Sequence, residues 1–294
     1  MHTIKLTSRD LAKLRRIALS HQGLTQRKPF GAGKNGAEAA IRRLGYVQID
    51  TISVVQRAHH HVLHSRVPDY QPAHLDKLLL ERKVFEYWAH AAAFLPIDAY
   101  RYTLPYKQSI KSGKRHWYKN PDYALMKKLL ARIEQDGPLQ SKDIEGGKRK
   151  SGGWWDWKPG KRALEQLYFQ GDVMVTERNG FQKAYDLPER VLPADVDTSM
   201  PGLSEYACYL LDQQLACHGF LTLKGITYQR RDEGLRRATK KELEHRLQRG
   251  TLVALKGRDT QTYFAPVESD SYRTVTESAP VLVRAARSVP AVQQ

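Results

Sequence analysis

Cysteine is scarce in this chain of 294 residues: Cys208 and Cys217 are the only two. Two thiols make neither a disulfide framework nor a four-cysteine zinc site, and the expectation is a reducing, cytoplasmic setting. No apolar run approaches the roughly 20 residues that span a bilayer, and the first residues, Met-His-Thr-Ile-Lys-Leu, lack a signal-peptide core. Neither Gly-x-x-x-x-Gly-Lys-Ser/Thr nor Gly-x-Ser-x-Gly occurs, which argues against P-loop nucleotide hydrolysis and serine esterases. His59, His60, His61 and His64 cluster, and His60 and His64 would share a helix face. No cysteine or carboxylate at a familiar spacing completes a metal site there, and His-Glu-x-x-His is missing. No metal and no cofactor are expected.

Positive charge is what the chain has in excess. Lys and Arg number 48 against 31 Asp and Glu, a net charge of +17. Such an excess suits a polyanionic partner, because basic patches neutralise phosphates and release counterions. A cationic chain kept soluble by its charge, or one held at a membrane surface, would share this composition.

An internal repeat organises the sequence. Apolar residues at helical spacing start at Tyr123 and stop at Asp136-Gly137-Pro138. A short element (139–144) follows, then a helix (159–170) closed by Gly171. Strands at 172–177 and 181–187 flank a hairpin turn read at Asn179-Gly180. Helix, short element, helix, hairpin is the order of a winged helix-turn-helix. The order recurs downstream, with helices at 204–217 and 240–248, a short element at 223–228 and a hairpin of 251–255 with 261–266. Gly171-Asp-Val-Met-Val aligns with Gly250-Thr-Leu-Val-Ala, and Tyr185-Asp-Leu-Pro with Tyr263-Phe-Ala-Pro. A looser copy at the N-terminus has helices at 6–20 and 37–44, capped by Thr7 or Ser8 and closed by Gly45, with the strand 47–50 in the place of the first wing strand. The expected fold class is α+β, mostly helical, built of tandem winged helix-turn-helix modules: residues 1–118, 119–193 and 202–267, with an irregular tail at 268–294.

Tyr46-Val-Gln-Ile-Asp-Thr-Ile is the most informative short run. Side chains alternate along a strand, so Val47 and Ile49 can enter a core while Gln48 and Asp50 project together from the other face. An amide beside a carboxylate can hold and activate a water. Taken alone, a polar strand edge explains the pattern equally. The stretch 146–162 interleaves Lys158, Lys161 and Arg162 with Trp154 and Trp155, just before and within the expected recognition helix. Basic groups there would follow phosphates, and the rings would stack on bases, wedge between them or fill a core. Arg57 and Arg66 flank the histidine cluster as further phosphate contacts. In Glu86-Tyr-Trp-Ala-His90 the aromatics read as core, yet Trp88 and His90 could line a pocket for a base.

Gln48-Ile-Asp-Thr-Ile, Ser65-Arg66, Tyr87-Trp-Ala-His90 with Phe94 and Pro96, Gly153-Trp-Trp-Asp-Trp-Lys-Pro, Val173-Met-Val-Thr-Glu-Arg and Tyr185-Asp-Leu stand in one order. Together they resemble the AlkZ/YcaQ family of bacterial winged-helix DNA glycosylases. The resemblance spans roughly residues 6–193 and is weaker in the third module. It implies tandem winged helices and a catalytic Gln-x-Asp motif at Gln48 and Asp50. It also implies excision of N7-alkylated guanine, including unhooking of interstrand crosslinks, by a monofunctional enzyme. The expected partner is double-stranded DNA carrying alkylated guanine or crosslinks; no membrane is involved, and the chain is expected to act as a cytoplasmic, nucleoid-associated monomer. Residues 279–294 do not resemble the C-terminal β-barrel region that family members carry, and the expectation is that this region is lacking. The alternative, from another class, is a winged-helix regulator that binds DNA without chemistry.

Overall fold

The computed structural model describes residues 3–50, 56–144, 159–179, 182–257 and 261–267. In chain order the elements begin with β1 (Thr3–Lys5), α1 (Ser8–His21), α2 (Gly33–Leu44), β2 (Val47–Gln48), α3 (Ala58–His64), α4 (Pro72–Leu80), β3 (Val84–Trp88) and β4 (Ala92–Pro96). They continue with α5 (Leu104–Lys111), α6 (Tyr123–Asp136), β5 (Leu139–Gln140), α7 (Pro159–Gln170), β6 (Met174–Asn179), β7 (Gln182–Asp186) and α8 (Pro188–Val191). The last are α9 (Leu203–His218), α10 (Leu223–Ile226), α11 (Glu233–Gln248), β8 (Leu252–Lys256) and β9 (Thr262–Pro266). The fold is α+β and mostly helical, and the chain divides into two compact units, residues 30–201 and residues 1–29 with 202–294.

The division departs from three modules in chain order. Helix α1 starts at a reciprocal cap, in which Thr7 Oγ1 accepts the Asp10 N–H and the Asp10 carboxylate accepts the Thr7 N–H at 2.9 Å. Its apolar stripe does not serve the module that follows it. Leu14 and Ile17, with Leu6, pack on Leu255 and Ala265, and β1 lies parallel to β8. Residues 3–21 are therefore an addition to the third winged helix, whose own core joins Leu210, Leu211, Leu235, Leu243 and Leu252. Helix α11 begins seven residues before the sequence periodicity suggested. Asp232 caps it by accepting the Leu235 N–H at 2.7 Å, and the buried Thr239 hydroxyl donates to the Leu235 carbonyl at 2.8 Å. A satisfied threonine thus occupies a core-facing position that apolar periodicity overlooks.

In the 30–201 unit the first winged helix starts at α2. Gly45 closes that helix in the left-handed region (φ 82°), a conformation glycine adopts without steric cost, and turns the chain into β2. The sheet order is β2-β4-β3, antiparallel throughout. The wing is therefore β3–β4, and the Gln-Ile-Asp segment is the short edge strand after the first helix, not a wing strand. Strand β5 holds the same place in the sheet β5-β7-β6, and a single bridge from Leu221 to Phe264 holds it in the third module. The second wing pairs through Asn179 and Gln182, so its strand extends across Asn179; residues 180–181 lie outside the described residues.

Two cores clasp the β3–β4 hairpin. Val84 and Phe94 join the first module's cluster with Ile41, Val47, Leu63 and Leu78. Phe85, Tyr87, Ala93 and Leu95 join a second cluster with Leu164, Leu167, Val173 and Val175 from the second module. A strand covered on both faces reads as a continuous buried run, which is why 84–87 show no alternation. The two modules are one folding unit for that reason.

Candidate active site

The site grows from β2. Val47 pairs with Phe94 and Gln48 with Ala93. Val47 is 2 % exposed and Ile49 packs on the same cluster, so the apolar half of the alternation is anchored in the first module's core. Gln48 is exposed and Asp50 half-buried at the free edge of the sheet. The Ile49 N–H donates to the Ala92 carbonyl at 2.7 Å, extending the ladder one residue past the regular strand.

Helix α3 borders this edge. The Asp50 N–H donates to His59 Nδ1 at 3.4 Å, and the His59 ring stands edge-on to Phe94 (5.8 Å) and against His60 (4.2 Å). Burial pushes the His59 imidazole down to about 4. His60, Arg57 and Arg178 add positive field in the same direction, while Asp50 opposes it. The ring is neutral at physiological pH, with a lone pair available. His60 Nδ1 and the Tyr70 hydroxyl lie 2.8 Å apart. Among the described residues no group of His, Cys, Asp and Glu is arranged to hold a metal ion.

A buried ion cluster lies near His59, within reach of its ring through the charge of Arg178. Glu86, whose side chain has no exposure, accepts from Arg178 Nε at 2.6 Å and from Arg178 NH2 at 3.2 Å, and pairs with Lys183. Burial by itself would raise the Glu86 carboxyl, but Lys183 and Arg178 outweigh it and hold the group below its ordinary value. The cluster ties β3 of the first module to β6 and β7 of the second.

The remaining sequence candidates fall as follows. Arg57 caps α3. Arg66 follows that helix, its guanidinium donating to the Val62 carbonyl at 2.9 Å and the Ser65 hydroxyl at 3.0 Å. His90, between β3 and β4, stands edge-on to the exposed Tyr46 at 5.3 Å. Trp88 packs edge-on against Trp117 (4.9 Å) and Phe169 (5.8 Å), so its ring is engaged inside the protein. Lys161 and Arg162 sit on the first turn of α7, and Arg162 lies over the Tyr118 ring at 4.9 Å. Trp154, Trp155 and Lys158 lie outside the described residues. The β2-β4-β3 sheet thus carries Gln48, Asp50, Trp88 and His90 on neighbouring segments and Arg57 lies near His59, while Lys161 and Arg162 belong to the second module.

His59 and the Glu86–Arg178–Lys183 cluster were not singled out from sequence. The histidine run held the signal for the first. For the second, the only sign was an acidic residue inside an aromatic strand. Gly31-Ala-Gly-Lys-Asn-Gly36 has the spacing of a dinucleotide loop, but no strand leads into it. A side chain at Gly36 would meet Val67 at 2.8 Å, so this glycine serves close packing.

Comparison with known proteins bears on the whole arrangement. The model of a family described as "DNA glycosylase AlkZ-like" matches residues 41–285. The structure of Streptomyces sahachiroi DNA glycosylase AlkZ is similar with a TM-score of 0.58 at 15 % identity, covering 92 % of this chain and 72 % of that one. At that identity the likeness speaks for the fold.

Proposed function

The chain belongs to the AlkZ-like DNA glycosylase family, and from that premise we propose that it hydrolyses the N-glycosidic bond of N7-alkylated guanine in duplex DNA, interstrand crosslinks included. The observation that carries this reading is the pair Gln48 and Asp50, two residues apart at the edge of a strand anchored by Val47. Alkylation at N7 leaves the guanine cationic, so the base departs with little acid assistance. What the reaction needs is a carboxylate to activate water and to stabilise the sugar cation as the bond breaks. Asp50 takes that role and Gln48 holds the water. Hydrolysis by water leaves an abasic site with the strand intact. A lesion that joins both strands is hard to extrude, so full base flipping is not required. Arg57, Arg66, Lys161 and Arg162, with Lys158, supply phosphate contacts in this reading; His90 faces the lesion; Trp154 and Trp155 stack or wedge. The protein acts as a cytoplasmic monomer.

The deciding experiment is base release from N7-methylguanine duplex. Asp50→Asn should bind the duplex as the wild type does and lose release by about a hundredfold or more. Wild-type release by Asp50→Asn would overturn the assignment. Neutralising Lys161 and Arg162 together should lower the log-log salt slope of binding by about two units, one per phosphate contact.

A further inference from the structure

The histidine cluster is left unused by this chemistry, and its most buried member touches the site. In a strand, successive N–H groups point to opposite sides. The Ile49 N–H points inward to Ala92, so the next one, on Asp50, points to the outer edge, where among the described residues no strand of the sheet lies beyond β2. His59 meets it there. Its imidazole, 3 % exposed, is fixed by the Phe94 ring on one side and His60 on another. Nδ1 accepts from the Asp50 main chain at 3.4 Å, so the ring proton sits on Nε2.

We propose that His59 is a positioning residue for the reaction: it holds the main chain of Asp50 at the edge of the sheet and so aims the carboxylate at the water held by Gln48. This rests on the reading of Asp50 as the catalytic carboxylate. The Asp50 carboxylate is carried one residue beyond the last ladder bond, and the bond to His59 acts on the main chain that carries it. A misplacement of about 1 Å at such a group costs as much as a hundredfold in rate. Arg57 at the start of α3 and Arg178 on β6 turn positive charge toward the ring, His60, itself pushed down by burial, lies against it, and the negative group is Asp50. Their balance, with burial, keeps the lone pair of Nδ1 unprotonated at neutral pH.

Two substitutions separate positioning from packing. His59→Phe keeps the ring and removes the acceptor. His59→Asn places an oxygen near Nδ1 and removes much of the ring. His59→Phe should bind N7-methylguanine duplex within about twofold of wild type and release base about ten- to a hundredfold more slowly in a single turnover. His59→Asn should recover most of the rate. A purely structural role predicts the reverse order. Hydrogen exchange of the Asp50 amide should be faster in His59→Phe and close to wild type in His59→Asn. Wild-type release by His59→Phe, or no recovery in His59→Asn, would overturn the proposal. Nitrogen-15 spectra of the unaltered protein give a reading independent of folding of the variants: a proton on Nδ1 of His59 would overturn it as well. If the wild type releases no alkylated base while the exchange difference holds, the substrate reading fails and the positioning of Asp50 by His59 stands.

Discussion

Replacing Arg178 by Met should unfold the 30–201 unit at a markedly lower temperature, because it strands a buried carboxylate. Glu86 has no side-chain exposure, and Arg178 and Lys183 are 13 % and 22 % exposed. Removing one partner of a buried ion pair costs about 3–5 kcal/mol, most of it the uncompensated charge that remains. Lys183 stays in place and carries part of that burden, so the lower end, about 3 kcal/mol, is expected. For a unit of this size each kcal/mol moves the midpoint by roughly 2–4 °C, which gives a drop of about 6–12 °C. Tryptophan fluorescence reads this unit selectively, since all five tryptophans lie between residues 30 and 201. The pH dependence has a definite sign. Glu86 is depressed in the folded protein, so its contribution is complete above the usual carboxylate value of 4.5 and is lost as pH falls through its lowered value. In Arg178→Met the carboxyl protonates more readily and then needs no partner, so the gap to wild type should be widest near neutrality and narrow in acid. Replacing all three groups together, with Glu86→Leu, Arg178→Met and Lys183→Met, should restore most of the loss. A drop of under about 2 °C for Arg178→Met alone, or a gap that widens in acid, would refute the reasoning.

Lys107 is 4 % exposed, lies over the rings of Tyr100 (3.9 Å) and Tyr87 (4.7 Å), and its ammonium has no hydrogen-bond partner among the described residues. Burial pushes it down to about 7, so the unfolded chain binds the proton more tightly between pH 7 and 10.5 and stability should rise with pH across that window. Lys107→Met should flatten this rise in urea titrations and raise the midpoint at pH 7; an unchanged slope would count against the assignment. Deleting residues 1–21 should speed hydrogen exchange in α9, β8 and β9, because β1 and the stripe of α1 cover Leu255 and Ala265; exchange at the wild-type rate there would contradict the placement of α1.

Most helices and hairpins within residues 123–187 and 203–266 were legible because helix ends and hairpin turns are local signals. Thr7 and Asp122 each accept a main-chain N–H at a helix start, and Gly45 and Gly219 each end a helix in the left-handed region, whereas the Asp232 cap that opens α11 was passed over. The first module was misread because two pieces of it obey non-local rules. Helix α1 has the amphipathic pattern of any surface helix, and nothing in that pattern names Leu255 and Ala265 as what it covers. Strand β2 is two residues long, and its place beside β4 is settled by the pairing of Val47 with Phe94, far off in sequence. A short strand carries too little alternation to say whether it is a wing or an edge.

The site divides along the same line. Gln48 and Asp50 were visible as a pattern in one strand, and a family resemblance gave that pattern its weight. What surrounds them is assembled from separate segments. His59 comes from α3, Phe94 from β4, and Arg178 and Lys183 from the second module's wing. Glu86 shows why such a shell escapes a one-dimensional reading. In sequence it is an acidic residue between Phe85 and Tyr87, and a solvated strand face would have the same letters. It is tolerated in the interior only because two cations arrive from β6 and β7 to meet it. The same bridging links the wing of one module to the candidate catalytic strand of the other: β6 presents Arg178 to Glu86 on β3, β3 pairs with β4, and β4 pairs with β2. A continuous chain of contacts, one ion pair followed by two strand pairings, therefore runs from the second module to Gln48, which gives a physical reason for the two modules to share one core next to the candidate site.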